Sequence, residues 1–239
     1  MTVAVGVMAR APSAAGKTRL APHLSAERLR ALRSALLADT LRALEHFPDL
    51  FIFFTPDEAG SELASIGTAA KACVAQGDGD IGARMLAAAR HLLEARGYGA
   101  ALLVGSDIPL LTADHLADAM KTLQADAQGS ASLSPRPGTA QAGERSAGDR
   151  IVLGPADDGG YYLIGMTRAH AGLFDGIAWG TESVLTDTLR VAERAGVDAR
   201  LVRSAYDVDT IEDVSRLERD LALAPDGVCP HLRRWFSEG

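Results

Sequence analysis

The stretch TVAVGVMARAPSAAGKTRLAP, Thr2 to Pro22, is where the reading of this chain divides. Its first part, Thr2–Met8, is short and apolar throughout, the pattern of a buried strand. Its second part carries Gly16-Lys17-Thr18, which matches the close of a phosphate-binding P-loop, G-x-x-x-x-G-K-[ST]. The first glycine of that motif is replaced by Ala11, and Pro12 follows it. A P-loop lysine also opens a helix whose free N–H groups face the phosphates. Pro22, five residues beyond Lys17, interrupts such a helix. The run ALLVGSD, Ala101–Asp107, imitates a Walker B strand and keeps a P-loop hydrolase as one alternative. The favoured reading is a loop after the first strand that carries Arg10, Lys17 and Arg19 toward an anion, with Gly16 lending flexibility. A solvated basic turn is the plainer alternative. Against it, Lys17 is one of only three lysines, with Lys71 and Lys121, and it sits beside two arginines.

Beyond this loop, short apolar runs alternate with longer amphipathic segments. Ser25–His46 predicts a helix with Leu29, Leu32, Leu36 and Leu37 on one stripe and Ser25 as its N-cap. Strands are expected at Leu50–Thr55, Lys71–Ala75, Ala101–Gly105, Ile151–Leu153, Tyr161–Met166 and Ala199–Ser204. Helices are expected at Ile81–Ala95, Ala113–Ala125, Thr181–Ala195 and, last, Ile211–Leu221. The segment Ala127–Gly148 is small, polar and rich in Pro and Gly, and reads as a flexible insertion. Strand–helix alternation of this kind predicts one α/β domain over residues 1–239, a mostly parallel sheet with helices on both faces. Ligands of such sheets bind beyond the carboxyl ends of the strands.

Bulk properties narrow the classes. The 239 residues are 47% hydrophobic and 23% charged, ordinary for a globular protein. A net charge of −7 disfavours a nucleic-acid partner. Cys73 and Cys229 lack metal-ligand spacing, no apolar run is long enough for a membrane span, and the N-terminus lacks a basic leader. A cytoplasmic location is the expectation, and oligomeric state is not legible.

Four constellations could carry chemistry. In GSDIPLL, Gly105–Leu111, Asp107 lies just past an apolar strand and suits a hard cation such as Mg²⁺, which takes one or two carboxylates plus substrate phosphates; a turn aspartate before Pro109 is the alternative. In YDVDTIEDV, Tyr206–Val214, Asp207 and Asp209 alternate on an extended segment and could share one ion, or else cap the helix that follows with Thr210. In GPADDGGYYLIGM, Gly154–Met166, Asp157-Asp158-Gly159-Gly160 makes either a tight hairpin or a seat for an acceptor, with Asp158 a candidate base. In QGDGDIGARM, Gln76–Met85, Gln76 and Gly82 could read a nucleobase edge or serve a plain strand-to-helix turn. WGTES is a weaker signal: Thr181 suits an N-cap and Trp179 suits packing.

Taken in order, KTRLAP, QGDGDIGARM, GSDIPLL, GPADDGGYYLIG, WGTES and YDVDT resemble a bacterial glycosyltransferase-A type family, transferase 1, rSAM/selenodomain-associated. That family is similar to the 2-phospholactate guanylyltransferases and to other enzymes of the nucleotide-diphospho-sugar transferase fold. The resemblance runs from about Val3 to Leu217. It implies a Rossmann-like GT-A sheet and a transferase that depends on Mg²⁺ or Mn²⁺. Its substrates would be a nucleotide or nucleotide-sugar donor and a small-molecule acceptor. It places Arg10, Gly16, Lys17 and Arg19 on the phosphates, Gln76 and Gly82 at the base, and Asp107, Asp207 and Asp209 at the metal. Lys17, Arg19 and Asp158 would be catalytic, and Asp157, Asp158, Gly159, Gly160, Trp179 and Thr181 would face the acceptor. GT-A enzymes usually carry Asp-x-Asp where this chain has Ser106-Asp107-Ile108, a single carboxylate closer to the nucleotidyltransferase pattern. Glycosyl transfer from a nucleotide sugar leads the expectation. Nucleotidyl transfer with release of pyrophosphate, and a non-catalytic nucleotide-binding protein, are the alternatives.

Overall fold

A computed structural model describes residues 1–125 and 149–238. The expected insertion at 127–148 lies outside the described residues. Seven strands form one sheet in the order β3-β2-β1-β4-β6-β5-β7. They are β1 Val3–Arg10, β2 Leu50–Thr55, β3 Ala72–Ala75, β4 Ala100–Gly105, β5 Arg150–Pro155, β6 Tyr161–Met166 and β7 Asp198–Leu201. β1 to β4 pair in parallel, β6 runs antiparallel to β4 and β5, and β5 pairs in parallel with β7. Six strands therefore end at one edge, where the loops bearing every candidate site residue gather.

The helices are α1 Ala26–Leu44, α2 Gly60–Ile66, α3 Ile81–Arg90, α4 Ala113–Gln124, α5 Val184–Ala195, α6 Ile211–Leu223 and α7 Pro230–Ser237. Alternate strand residues serve opposite faces. Val5, Val7, Ile52, Leu102 and Val104 pack with Leu37, Leu41, Leu63, Leu116 and Ala119 of α1, α2 and α4. Ala4, Phe51, Phe53, Ala101 and Leu103 pack with Met85, Ala88, Ala89 and Ala192 of α3 and α5. A strand covered on both faces needs no polar side, which explains the unbroken apolar runs of β2 and β4. On the outside of α1, Leu32 and Leu36 bury against Val214 and Leu217 of α6 and Leu232 and Trp235 of α7. No helix among the described residues is long and apolar enough to cross a membrane.

Several boundaries differ from expectation. The helix expected at Thr181 begins at Val184, with Ser183 in the N-cap position, because Thr181 Oγ1 donates to Ala178 O and is tied up in the preceding turn. The helix expected over Ile81–Ala95 ends its α-type part at Arg90 and finishes with one π-type turn, His91–Ala95. β7 stops at Leu201, although Val202 N still donates to Leu153 O. α6 is not the last helix: α7 follows, with Pro230 in its first turn.

Candidate active site

The strand order reverses between β1 and β4: from β1 the chain builds outward to β2 and β3, then returns to place β4 on the other side. Such a switch point leaves a crevice above the carboxyl ends of the two strands. Lys17, from the loop after β1, and Asp107, just past β4, meet in it. Lys17 Nζ donates to Asp107 Oδ2 at 2.8 Å, to Asp209 Oδ1 at 2.8 Å and to the Val208 carbonyl at 2.7 Å. An ammonium has three N–H donors, and all are used. The Lys17 side chain is only 6% exposed, whereas those of Asp107 and Asp209 are 47% and 43% exposed. The cation is enclosed, and the carboxylates are open to an incoming ligand. Burial alone would lower the Lys17 pKa, but the Asp107 and Asp209 charges outweigh it and hold the ammonium above the ordinary lysine value. Asp107 shows the converse: desolvation pushes its pKa up, and Lys17 carries it below the usual carboxylate range.

The surrounding residues hold this arrangement. Ser106 Oγ donates to Asp107 Oδ1 at 3.0 Å, and Val208 N donates to Asp107 O at 3.2 Å. The segment before α6 is fastened by Asp213, whose Oδ2 accepts from Asp209 N at 3.1 Å and Thr210 N at 2.7 Å in a capping box. The β1–α1 loop is fastened by Arg33 of α1, a residue the sequence reading passed over. Its guanidinium donates to Ala11 O at 2.7 Å, to Pro12 O at 3.1 Å and to Ala14 O. Arg33 is only 8% exposed and follows Leu29 and Leu32 on the buried stripe of α1; a charge in that register was the available signal. Lys17 itself has a left-handed φ of 51°, uncommon for a residue with a side chain and often found at functional sites.

The other expected residues divide into groups. Arg10, at the end of β1, and Arg19, in the loop after it, are exposed, Arg10 donating to Ala15 O at 2.9 Å. Gln76 is buried; its Nε2 donates to Phe53 O at 2.8 Å and Ala9 O at 3.3 Å, tying together the ends of β1, β2 and β3. Gly82 seats Trp179, since a Cβ there would stand 2.5 Å from the indole, which also stacks on Phe174 and meets Tyr161 edge-on. The hairpin reading of Asp157–Gly160 is correct as geometry: Ala156 N donates to Gly160 O, and Gly160 N to Asp158 Oδ1 at 2.9 Å. Gly159 has φ +87°, and a Cβ on it would lie 2.2 Å from Glu182 O, so its bareness serves the chain entering α5. Asp157 pairs with Arg216 of α6 at 2.7 Å, Arg216 in turn lying 3.7 Å over the Tyr206 ring. Among the described residues, Trp179 and Thr181 make no hydrogen bond to the acidic cluster; Thr181 Oγ1 bonds Ala178 O and Ser183 Oγ.

Asp207 completes the negative charge. Burial, then the neighbouring Asp209, then Asp158 raise its pKa to about 7, and it adds a third carboxylate beside the two that share the single Lys17 ammonium. Oxygen donors in excess of cations fit a hard divalent ion, which needs only one or two carboxylates once substrate phosphates are present. Asp107, Asp207 and Asp209 are not already disposed about one point: among the described residues, no group of three His, Cys, Asp or Glu side chains is arranged to hold a metal.

Comparison with solved structures places this architecture. At 26% identity and TM-score 0.76, the chain is similar to a protein from Desulfovibrio desulfuricans G20 assigned as a nucleotide-diphospho-sugar transferase, covering 98% of this chain and 95% of that one. It shares its fold with a cytidylyltransferase from Leptospira borgpetersenii serovar Hardjo-bovis, at 14% identity and TM-score 0.55 over 100% and 94% of the two chains. It also shares it with glucosyl-3-phosphoglycerate synthase from Mycobacterium tuberculosis, solved with Mn²⁺, uridine diphosphate and glucosyl-3-phosphoglycerate, at 10% identity and TM-score 0.50 over 95% and 81%. The expectation of a transferase enzyme stands on this likeness. A search of curated proteins gives no match. The profile of the family DUF2064, described as an uncharacterized protein conserved in bacteria, matches residues 36–181, more than half of the chain, and the chain belongs to that family.

Proposed function

We propose that this protein is a divalent-metal-dependent transferase that takes a nucleotide sugar as donor and passes its glycosyl group to a small-molecule acceptor. The observation that carries this reading is the Lys17–Asp107–Asp209 cluster at the β1/β4 switch point, a cation and two open carboxylates where phosphates of a bound nucleotide belong in such a sheet. The donor diphosphate lies along the β1–α1 loop, where Arg10, Lys17 and Arg19 offset its charge; the Gln76 amide, bonded to the Phe53 and Ala9 carbonyls, shapes the strand ends beside it. Asp107 and Asp209, with Asp207 beside them, would hold Mg²⁺ or Mn²⁺; when bound, the ion supplies Lewis-acid neutralisation of the leaving phosphate. The acceptor approaches the exposed carboxylates of the Asp157–Gly160 hairpin, whose Gly159 is closed off on its other side by the Glu182 backbone. There Asp158 orients its hydroxyl and takes the proton as the hydroxyl attacks the sugar carbon. Fixed charges act here because they need no reorganisation as charge develops.

A second reading, nucleotidyl transfer with pyrophosphate leaving, is favoured by one observation. The strand-end motif has a single carboxylate, Asp107, and a lysine from the first loop bonds directly to it. Incubating the protein with nucleotide sugars or nucleoside triphosphates, Mg²⁺ or Mn²⁺ and an acceptor panel decides between them. Release of nucleoside diphosphate supports glycosyl transfer. Release of pyrophosphate supports nucleotidyl transfer, and tight nucleotide binding with neither product leaves a non-catalytic binder.

A further inference from the structure

We propose that Lys17 is a resident counter-ion that fills the cation position of the empty cleft and must leave it before a metal binds. This inference rests on the reading of Asp107 and Asp209 as the metal carboxylates. Two of the three oxygens that hold the ammonium belong to those residues, at 2.8 Å each. An ammonium and a divalent cation at such distances compete for the same lone pairs and repel one another, so one excludes the other. The exposure of the three side chains is lopsided in the way a replaceable plug requires: the lysine is enclosed at 6%, while both carboxylates face solvent.

The loop is built to let Lys17 move. Arg33 pins Ala11, Pro12 and Ala14 ahead of it, and Leu20, wholly buried, anchors the chain behind it. Between these anchors lie Gly16 and the left-handed backbone of Lys17, whose φ of 51° is a conformation the residue leaves at little loss. A phosphate held by Arg10 and Arg19, which share the loop with Lys17, offers the ammonium a new anionic partner. Its departure frees Asp107 and Asp209 for the metal. Phosphate and metal are then coupled ligands: each raises the affinity for the other by the same factor. A free divalent ion alone meets a cleft that already holds its positive charge.

The test is a Mn²⁺ titration of the full chain without nucleotide, by calorimetry and by the loss of the free-ion electron paramagnetic resonance signal. Lys17→Met is compared with the unaltered protein. The variant should bind Mn²⁺ at least about fivefold more tightly, the lower end of ordinary coupling between ligands. Its Tm, lowered by the unpaired carboxylates, should be restored by Mn²⁺ and not by KCl of equal ionic strength. Equal Mn²⁺ affinity in the two proteins, with no recovery of Tm, overturns the inference. Lys17→Gln, which keeps a neutral donor, gives the same comparison should Lys17→Met fail to fold. A parallel Tm series with nucleotides separates the two ideas. If nucleotides stabilise the unaltered protein while the variant gains no Mn²⁺ affinity, the counter-ion falls alone. If the variant gains Mn²⁺ affinity and no nucleotide stabilises either protein, the nucleotide reading falls alone.

Discussion

Lys17 and Asp209 stand 192 positions apart in the chain, and their side chains meet at 2.8 Å, with Asp107 closing the other side of the ammonium at the same distance. This contact joins the first loop of the sheet to the segment that leads into α6, directly over the point where strand order reverses.

Asp107→Asn keeps the shape of the side chain and removes its charge. Transferase turnover should fall by roughly 100-fold or more, the size expected for losing one fixed electrostatic partner of the transition state. Circular dichroism should remain that of the folded protein. Steady-state rates against Mg²⁺ concentration check this, and normal turnover with normal metal dependence would remove Asp107 from the metal role.

Arg33→Met should leave the carbonyls of Ala11, Pro12 and Ala14 without their buried donor. Ala11 O keeps the Ala14 N–H at 3.0 Å, but Pro12 O and Ala14 O lose their side-chain donor, and a loss of about 2 kcal/mol in urea unfolding is expected. Nucleotide affinity should weaken as well, because the loop that carries Lys17 loses its anchor. A variant as stable and as tight-binding as the parent would mean that the loop holds its own shape.

Much of this fold is legible in the chain. β2 and β6 have the boundaries their apolar runs predict, Leu50–Thr55 and Tyr161–Met166, because burial on both faces leaves no polar position to blur them. α7 is not legible, since its eight residues PHLRRWFS make a marginal helix alone. Its support comes from elsewhere: Asp39 of α1 accepts from His231 N at 3.1 Å and Leu232 N at 2.9 Å, acting as an N-cap across the fold. The candidate site shows the same division. Asp107, Asp207, Asp209 and Lys17 stand out by residue type after strands. That the lysine lies between two of the carboxylates is set by tertiary packing of segments far apart in sequence. Gly82 drew notice at a base-reading turn and Gly159 as a seat for an acceptor, and in the structure the space beside them is filled by Trp179 and by the Glu182 backbone.

Asp39→Ala should therefore cost about 1–2 kcal/mol and loosen α7 first, visible as earlier hydrogen exchange or proteolysis of residues 230–237. Asp39→Asn separates charge from capping, because its amide oxygen still accepts. Burial raises the Asp39 pKa above the ordinary aspartate value, the backbone donors offsetting this in part. The folded protein then binds the proton more readily than the unfolded one. Its stability relative to Asp39→Asn should fall as pH rises from the ordinary aspartate value through the raised folded one, and level off above it. A flat difference across that window would show the carboxylate to be no harder to ionise when folded.

Gly159→Ala forces a Cβ into Glu182 O at a left-handed φ, and a loss of roughly 1–3 kcal/mol is expected. Gly82→Ala, by contrast, meets only a side chain and should displace Trp179, shifting its fluorescence while Trp235 stays buried. Fluorescence of each variant in a Trp235→Phe background isolates Trp179. An unchanged spectrum for Gly82→Ala would place the indole elsewhere in solution.

On this reading the crevice over β1 and β4 binds nucleotide phosphates together with a divalent cation. A thermal-shift panel of nucleoside triphosphates and nucleotide sugars, each with Mg²⁺, Mn²⁺ or EDTA, tests it most directly. A ligand at 100 times its Kd stabilises the native state by about 2.7 kcal/mol. At least one nucleotide should raise Tm in a concentration-dependent way, EDTA should abolish the rise, and Asp107→Asn and Asp209→Asn should lose it. Absence of any shift across the panel, or a shift indifferent to EDTA and to both substitutions, would contradict it.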